Sequence, residues 1–197
     1  EEVPYYYLND RIQEVINTDE YKKRILSPNR LECKLSLYDV IIFSKFAWVK
    51  KVAEENPFDS DYFMWMDAGL SRFFKPHEVD IKSPYPSSDA LEALVSNKDS
   101  ILIQAQASFY PDLFNKEEYT EDDLWDNRSW IMAGLWGGGS EAVSRYYDLI
   151  DDVINNKMLK NNMINNEQSA MAYVYKNNDD LFVVFENYSH MHRQYEI

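Results

Sequence analysis

The sequence is poor in cysteine and in positive charge, and each shortage narrows the functions open to it. Its one cysteine, Cys33, allows no disulfide within the chain, and 197 residues can bury a sizeable core without one. With 20 basic against 34 acidic side chains, the net charge of −14 argues against nucleic acid or an anionic membrane surface as a partner. No apolar run approaches the roughly 20 residues of a membrane span. We therefore expect a soluble, cytoplasmic protein with no transmembrane segment and no nucleic-acid partner.

Apolar residues are plentiful, and their spacing alternates between helical and extended patterns. Three- and four-residue steps predict a helix over Ser36–Glu55, and the apolar run Tyr62–Met66 predicts a strand that is buried on both faces. Further strands are predicted at 100–107, 129–136 and 181–185, and helices at 89–96, 140–154 and 167–175. Residues 115–127 are predicted as an exposed loop or short helices, and the asparagine-rich stretch 155–166 as a hinge or loop. This alternation predicts one three-layer α/β domain over residues 1–197, either complete in itself or one module of a longer protein.

Asp67 is the most informative single residue, because it follows the predicted strand directly. Open α/β sheets place their ligand crevice at the carboxyl ends of strands. Ala68 and Gly69 leave the neighbouring backbone unshielded, so that a ligand can approach closely. A carboxylate in this place suits Mg²⁺ or Mn²⁺, which bind carboxylate oxygen together with substrate phosphates. Asp67 is therefore either a metal ligand or a residue that caps the turn after the strand.

The residues around Asp67 form an extended motif. Residues 62–72 read Tyr-Phe-Met-Trp-Met-Asp-Ala-Gly-Leu-Ser-Arg, and Asn56-Pro57-Phe58 precedes them. This string resembles the signature of the HtrL/YibB family, which includes WlaTC-type glycosyltransferases and has similar sequences in large DNA viruses. Ser44-Lys45-Phe46, residues 134–139 and Asn166-Glu167-Gln168 resemble further blocks of that family. The resemblance covers roughly residues 36–175, and its specific part is the Trp-Met-Asp-Ala-Gly block.

The resemblance implies a GT-A fold, in which a mixed, mostly parallel sheet lies between helices and binds a nucleotide sugar. It implies a hexosyltransferase that moves a sugar from a nucleotide diphosphate, with UDP favoured, to a glycan or glycolipid acceptor, and it leans towards retention. A divalent cation, Mn²⁺ or Mg²⁺, would sit at an Asp-x-Asp-like motif whose second aspartate is replaced here by Gly69. A further metal ligand must then come from elsewhere, and His190 or His192 is the candidate.

The resemblance also implies roles for other residues. Glu167 or Gln168 would act catalytically, by bonding to the donor sugar's hydroxyls or by stabilising positive charge at its anomeric carbon. Lys45 and Arg72 would face phosphates. The glycine run, Gly137-Gly138-Gly139, would bring backbone amides to a ligand at a helix start. The predicted substrate-contacting residues are Lys45, Trp65, Ala68, Gly69, Arg72, Gly137 and Gly138. Their structural alternatives are a surface lysine, a salt-bridged arginine and a plain tight turn.

Several alternatives stay open at this point. Either residues 3–8 are the nucleotide-binding first strand of a GT-A fold, or part of the usual beginning of that fold is absent from this chain. An inverting enzyme would need a base, for which Asp112, Asp126 and Glu167 are candidates. Two other functions compete with the transferase: a two-carboxylate glycoside hydrolase and a non-catalytic carbohydrate-binding module.

Overall fold

The computed structural model describes residues 2–68 and 88–186, and the strands in this part of the chain form one sheet. The strands are β1 (Tyr62–Met66), β2 (Ile101–Ala105), β3 (Leu135–Gly139) and β4 (Phe182–Glu186), in the order β1-β3-β2-β4. β3 is antiparallel to both of its neighbours, whereas β2 and β4 are parallel. The mixed sheet is as predicted, but its pairings are not mostly parallel. Since β1, β2 and β4 all run in the same direction, their carboxyl ends share one edge.

The helices account for most of the remaining regular structure. Their bounds are α1 (Asn9–Asn17), α2 (Asp19–Arg24), α3 (Ser36–Glu55), α4 (Ser88–Ser96), α5 (Pro111–Phe114), α6 (Ser140–Asp152) and α7 (Glu167–Asn177). α3 has its predicted bounds, and it ends where Asn56 adopts a left-handed conformation before Pro57. α6 continues through a π-helical turn, Val153–Met158, so the predicted asparagine-rich loop is helical over much of its length.

The amino-terminal segment is helical rather than extended. Tyr6–Leu8 forms a 3₁₀ turn that leads into α1, and Ile12, Val15 and Ile16 of α1 are buried. The alternative that residues 3–8 form the first strand is therefore wrong. Apolar residues at positions 12, 15 and 16 follow the helical period, which explains why this segment packs as a helix against α3.

Alternate residues of the strands face two separate clusters of buried side chains. One face of the sheet contributes residues such as Phe63, Ile103 and Trp136 to the large core, which also holds side chains from α1, α3, α6 and α7. The opposite face contributes Leu102 and Leu135, which pack with Leu94 of α4 in a small cluster. Helices therefore lie on both faces, as in the predicted three-layer arrangement. β1 is less buried than predicted, because it lies at an edge of the described sheet.

Candidate functional site

A buried lysine stands at the carboxyl edge of the sheet. Lys45 lies on the inner side of α3, and its side chain is only 7% exposed. Its Nζ is 2.7 Å from Oε1 of Glu167 and 3.5 Å from Oδ1 of Asp67, and it also donates to the carbonyl oxygen of Ala133 at 3.5 Å. The ammonium group thus joins α3, the amino end of α7 and the residue that follows β1.

Asp67 is the exposed member of this group. Its side chain is 41% exposed, whereas that of Glu167 is 9% exposed. Oδ1 of Asp67 also accepts a hydrogen bond from the indole Nε1 of Trp65 at 2.6 Å, and its backbone N–H donates to the carbonyl oxygen of Gly134 at 2.8 Å. Trp65, Gly134 and Lys45 therefore hold Asp67 in a fixed position at the strand end, where a ligand in the crevice can reach it.

Glu167 opens α7, as the sequence predicted. A carboxylate in the first turn of a helix is favoured by the helix dipole. The preceding residue, Asn166, caps the helix by accepting a hydrogen bond from the backbone N–H of Ser169 at 2.9 Å. Gln168 donates from Nε2 to the carbonyl oxygen of Ile131 at 2.8 Å. Its catalytic role stays a prediction. The dipole and Lys45 together offset the burial of the Glu167 carboxylate.

A second buried carboxylate lies close to Glu167. Asp39 of α3 is fully buried, and neither of its carboxylate oxygens has a hydrogen-bond partner within the described part of the chain. Burial raises the pKa of Asp39 well above its usual range, and the charges of Glu32 and Glu167 raise it further. Burial together with Glu167 also raises the pKa of Tyr38 to about 12. The interior beneath the site therefore carries an excess of acid, which favours the neutral form of Asp39.

The glycine run has a different position from the predicted one. Gly137 and Gly138 lie inside β3 rather than after it, and they pair with Met64 and Phe63 of β1. A Cβ atom on Gly137 would come within 2.5 Å of the carbonyl oxygen of Phe63. The prediction that these glycines form a loop with amides at a helix start is therefore wrong. They lie within a strand, where the lack of side chains allows neighbouring strands to approach closely. α6 begins directly after β3, at Ser140.

Other predicted site residues are only partly covered by the structure. Ala68 is exposed directly after Asp67. The remaining predicted residues lie outside the described residues, and they are Gly69, Arg72, His190 and His192. Within residues 2–68 and 88–186, no three His, Cys, Asp or Glu side chains come together in a way that could hold a metal ion.

The two further base candidates share one arginine. Arg128 contacts Asp126 at 2.6 Å and Asp112 at 2.7 Å. The hydrogen bond from Arg128 lowers the pKa of Asp112, which makes this carboxylate a weaker base. Of the three candidates for that role, Glu167 is the one that the structure joins to Asp67.

Sequence reasoning missed Asp39, although a signal for it was present. Positions 39, 42, 46, 49 and 53 of α3 follow the helical period and are all buried. A carboxylate in such a series is placed where an apolar side chain would be expected. Trp48 was also missed, because its stacking on Trp65 depends on how α3 crosses β1.

Fold and site together define a class: a mixed α/β domain with a buried lysine that holds two carboxylates at the carboxyl edge of its sheet. A family model described as "Bacterial protein of unknown function (HtrL_YibB)" matches residues 1–192, and the chain belongs to this family. No curated protein and no solved structure matches the chain.

Within the described ranges, no helix combines the length and the apolar character needed to cross a membrane.

Proposed function

We propose that the protein is a glycosyltransferase of GT-A type that transfers a sugar from a nucleotide diphosphate, with UDP favoured, to a glycan or glycolipid. The observation that carries the proposal is the placement of Asp67. This exposed carboxylate lies at the carboxyl edge of the sheet, and Lys45 and Trp65 hold it there. In open α/β sheets, ligands bind at this edge.

The arrangement of charges supports a transferase more than a hydrolase. A glycoside hydrolase places the scissile bond between two carboxyl groups. The Lys45 ammonium lies between the carboxylates of Asp67 and Glu167, and Glu167 is almost fully buried. A pyranose ring therefore has no room between the two acids. A simple carbohydrate-binding module, for its part, needs no buried ion pair beneath its sugar site.

The described residues alone do not fit a resident metal ion. Oδ1 of Asp67 already accepts the Trp65 indole proton and faces the Lys45 ammonium. Asp67 is therefore a single, partly engaged carboxylate, and we assign no chemical step to a metal. In this proposal the cation, Mn²⁺ or Mg²⁺, binds together with the diphosphate, because Mg²⁺ is commonly bound by one or two carboxylates and substrate phosphates.

In this proposal, the chain's own residues position the donor. Asp67 contacts the donor in the crevice, and Lys45 holds the Asp67 and Glu167 carboxylates in their orientation. Glu167 places negative charge beneath the site, where it would stabilise positive charge that develops at an anomeric carbon.

Thermal unfolding with UDP, UDP-glucose and UDP-galactose, each with and without Mn²⁺, tests the proposal. A ligand at 100 times its Kd stabilises by about 2.7 kcal/mol, which raises the Tm by roughly 5–10 °C for a chain of this size. We expect such a shift with UDP and Mn²⁺, and we expect Asp67→Ala to lose it. The absence of any shift with UDP under every metal condition would contradict the proposed function.

A further inference from the structure

An apolar groove lies beside the candidate site. Trp48 of α3 and Trp65 of β1 stack with their ring centroids 6.2 Å apart and their planes 16° apart. Two adjoining cavities of about 380 and about 400 Å³ share these two tryptophans and Val52. Each volume lies in the usual range for small-molecule pockets, roughly 300–1,000 Å³. We call this region the tryptophan groove, and its apolar lining comprises Trp48, Val52, Phe58, Tyr62, Met64 and Trp65.

An aromatic side chain is held in the open at the groove. Phe58 is 85% exposed, although the loop that carries it is well fixed. Oδ1 of Asn56 accepts from the backbone N–H of Ser60 at 2.7 Å, and Nδ2 of Asn56 donates to the Ser60 carbonyl at 3.0 Å. Asn56 and Asp59 have positive φ angles of 36° and 52°. These backbone conformations and the Asn56 hydrogen bonds fix the loop that holds Phe58 at the surface beside the groove.

The charges at the groove favour a neutral ligand. Lys51 lies 3.8 Å from Glu55, so these two charges offset each other, and Glu2 adds a further acid. This rim has no excess of positive charge, so it offers no counter-charge to a phosphorylated or sialylated ligand. A neutral sugar ring fits better, because it has apolar C–H faces that pack on an indole and hydroxyl groups that bond to a polar rim.

The groove is continuous with the candidate site through one side chain. Trp65 lines both cavities, and its indole Nε1 donates to Oδ1 of Asp67 at 2.6 Å. We propose that the tryptophan groove is the acceptor subsite, where a neutral saccharide stacks on Trp48 and Trp65 and extends towards Asp67. This inference rests on the proposed function, because it names the acceptor class of that same site.

The test uses neutral disaccharides as probes. Lactose, chitobiose and mannobiose are titrated into the full chain while binding is followed by intrinsic tryptophan fluorescence and by saturation-transfer NMR. We expect at least one probe to bind. Trp48→Ala and Phe58→Ala should each weaken that binding about 10-fold, which corresponds to the loss of roughly 1.4 kcal/mol of aromatic contact. The thermal shift with UDP should stay unchanged in both variants.

Controls separate this inference from the proposed function. Leu91 is an exposed side chain on α4, which packs on the other face of the sheet, and Leu91→Ala should not change sugar binding. Sugar binding that is sensitive to Trp48→Ala, without any UDP binding, would support the groove and contradict the transferase. UDP binding with no response to any of the three sugars would overturn the groove alone, and so would equal sugar binding by wild type and both groove variants.

Discussion

The two ends of the β1–β3 strand pair differ in what they bury. At one end, Phe63 and Met64 pair with Gly138 and Gly137, and β1 lies so close that a Cβ atom on Gly137 would overlap the Phe63 carbonyl. At the other end, Met66 pairs with Leu135, and the chain continues into Asp67, which faces Lys45. Backbone packing fills the first end completely. Charged side chains occupy the second end, where one carboxylate stays within reach of a ligand.

The two ends are linked, because close backbone packing at the glycine end supports the strand that carries the polar site at the other end. The glycine end fixes the position of β1 against β3, and the charged end uses that fixed strand to place Asp67.

Lys45→Met should cause the largest loss of stability. It leaves Glu167 buried without its counter-ion, and breaking a buried ion pair from one side costs about 3–5 kcal/mol. Urea denaturation measures this loss. Lys50→Met is the matched control on the same helix, since its partners Asp148 and Glu54 are exposed, and it should cost less than about 1 kcal/mol. Equal losses in the two variants would show that the buried ion pair contributes no more to stability than the exposed pairs do.

Gly137→Ala should destabilise the other end by about 1–3 kcal/mol, because the new Cβ atom would overlap the Phe63 carbonyl and the Met64 side chain. Chemical denaturation checks the value. Ser140 lies one residue beyond β3, and no side-chain cap hydrogen bond forms there. As the control, Ser140→Ala should change stability by less than about 0.5 kcal/mol. If Gly137→Ala kept full stability but lost UDP binding, the glycine run would belong to the ligand site after all.

Asp39→Asn should increase stability at neutral pH, because the amide occupies the same buried place near Glu32 and Glu167 but, unlike the carboxyl group, has no proton that the unfolded chain releases. The folded protein holds the Asp39 proton more tightly than the unfolded chain does. The contribution of Asp39 to stability therefore falls as the pH rises above about 4, the ordinary pKa of aspartic acid.

Unfolding in urea between pH 4 and pH 8 measures this dependence for Asp39. Wild type and Asp39→Asn should differ little near pH 4, and the variant should gain its advantage as the pH rises. A gap between them that stays constant over the whole range would contradict the raised pKa of Asp39.

Asp67→Asn should have the smallest effect on stability, less than about 1 kcal/mol, since its carboxylate is 41% exposed and its interaction with Lys45 is partly screened. The same variant should lose the thermal shift with UDP and Mn²⁺. Calorimetry with and without ligand separates the two effects. A large loss of stability in the absence of ligand would make Asp67 a structural residue.

Local sequence patterns were sufficient to predict the helix and the strand on which the site is built. α3 and β1 have their predicted bounds, because apolar spacing and the Asn56-Pro57 stop are local signals. The glycine run was placed wrongly, since glycine is equally compatible with a loop and with closely packed strands. The antiparallel position of β3 between β1 and β2 could not be predicted, because strand pairing is a long-range choice that no local spacing encodes.

The amino-acid sequence was sufficient to establish an acidic α/β chain, its family, and the position of Asp67 directly after a strand. The burial of Lys45 between Asp67 and Glu167, which are 22 and 122 residues away along the chain, is seen only in the folded protein. The same holds for the stacking of Trp48 on Trp65 and for the burial of Asp39, whose carboxylate has no hydrogen-bond partner among the described residues. The physical reason is that burial and charge pairing depend on the packing of α3 against β1 and α7, which distant segments create together.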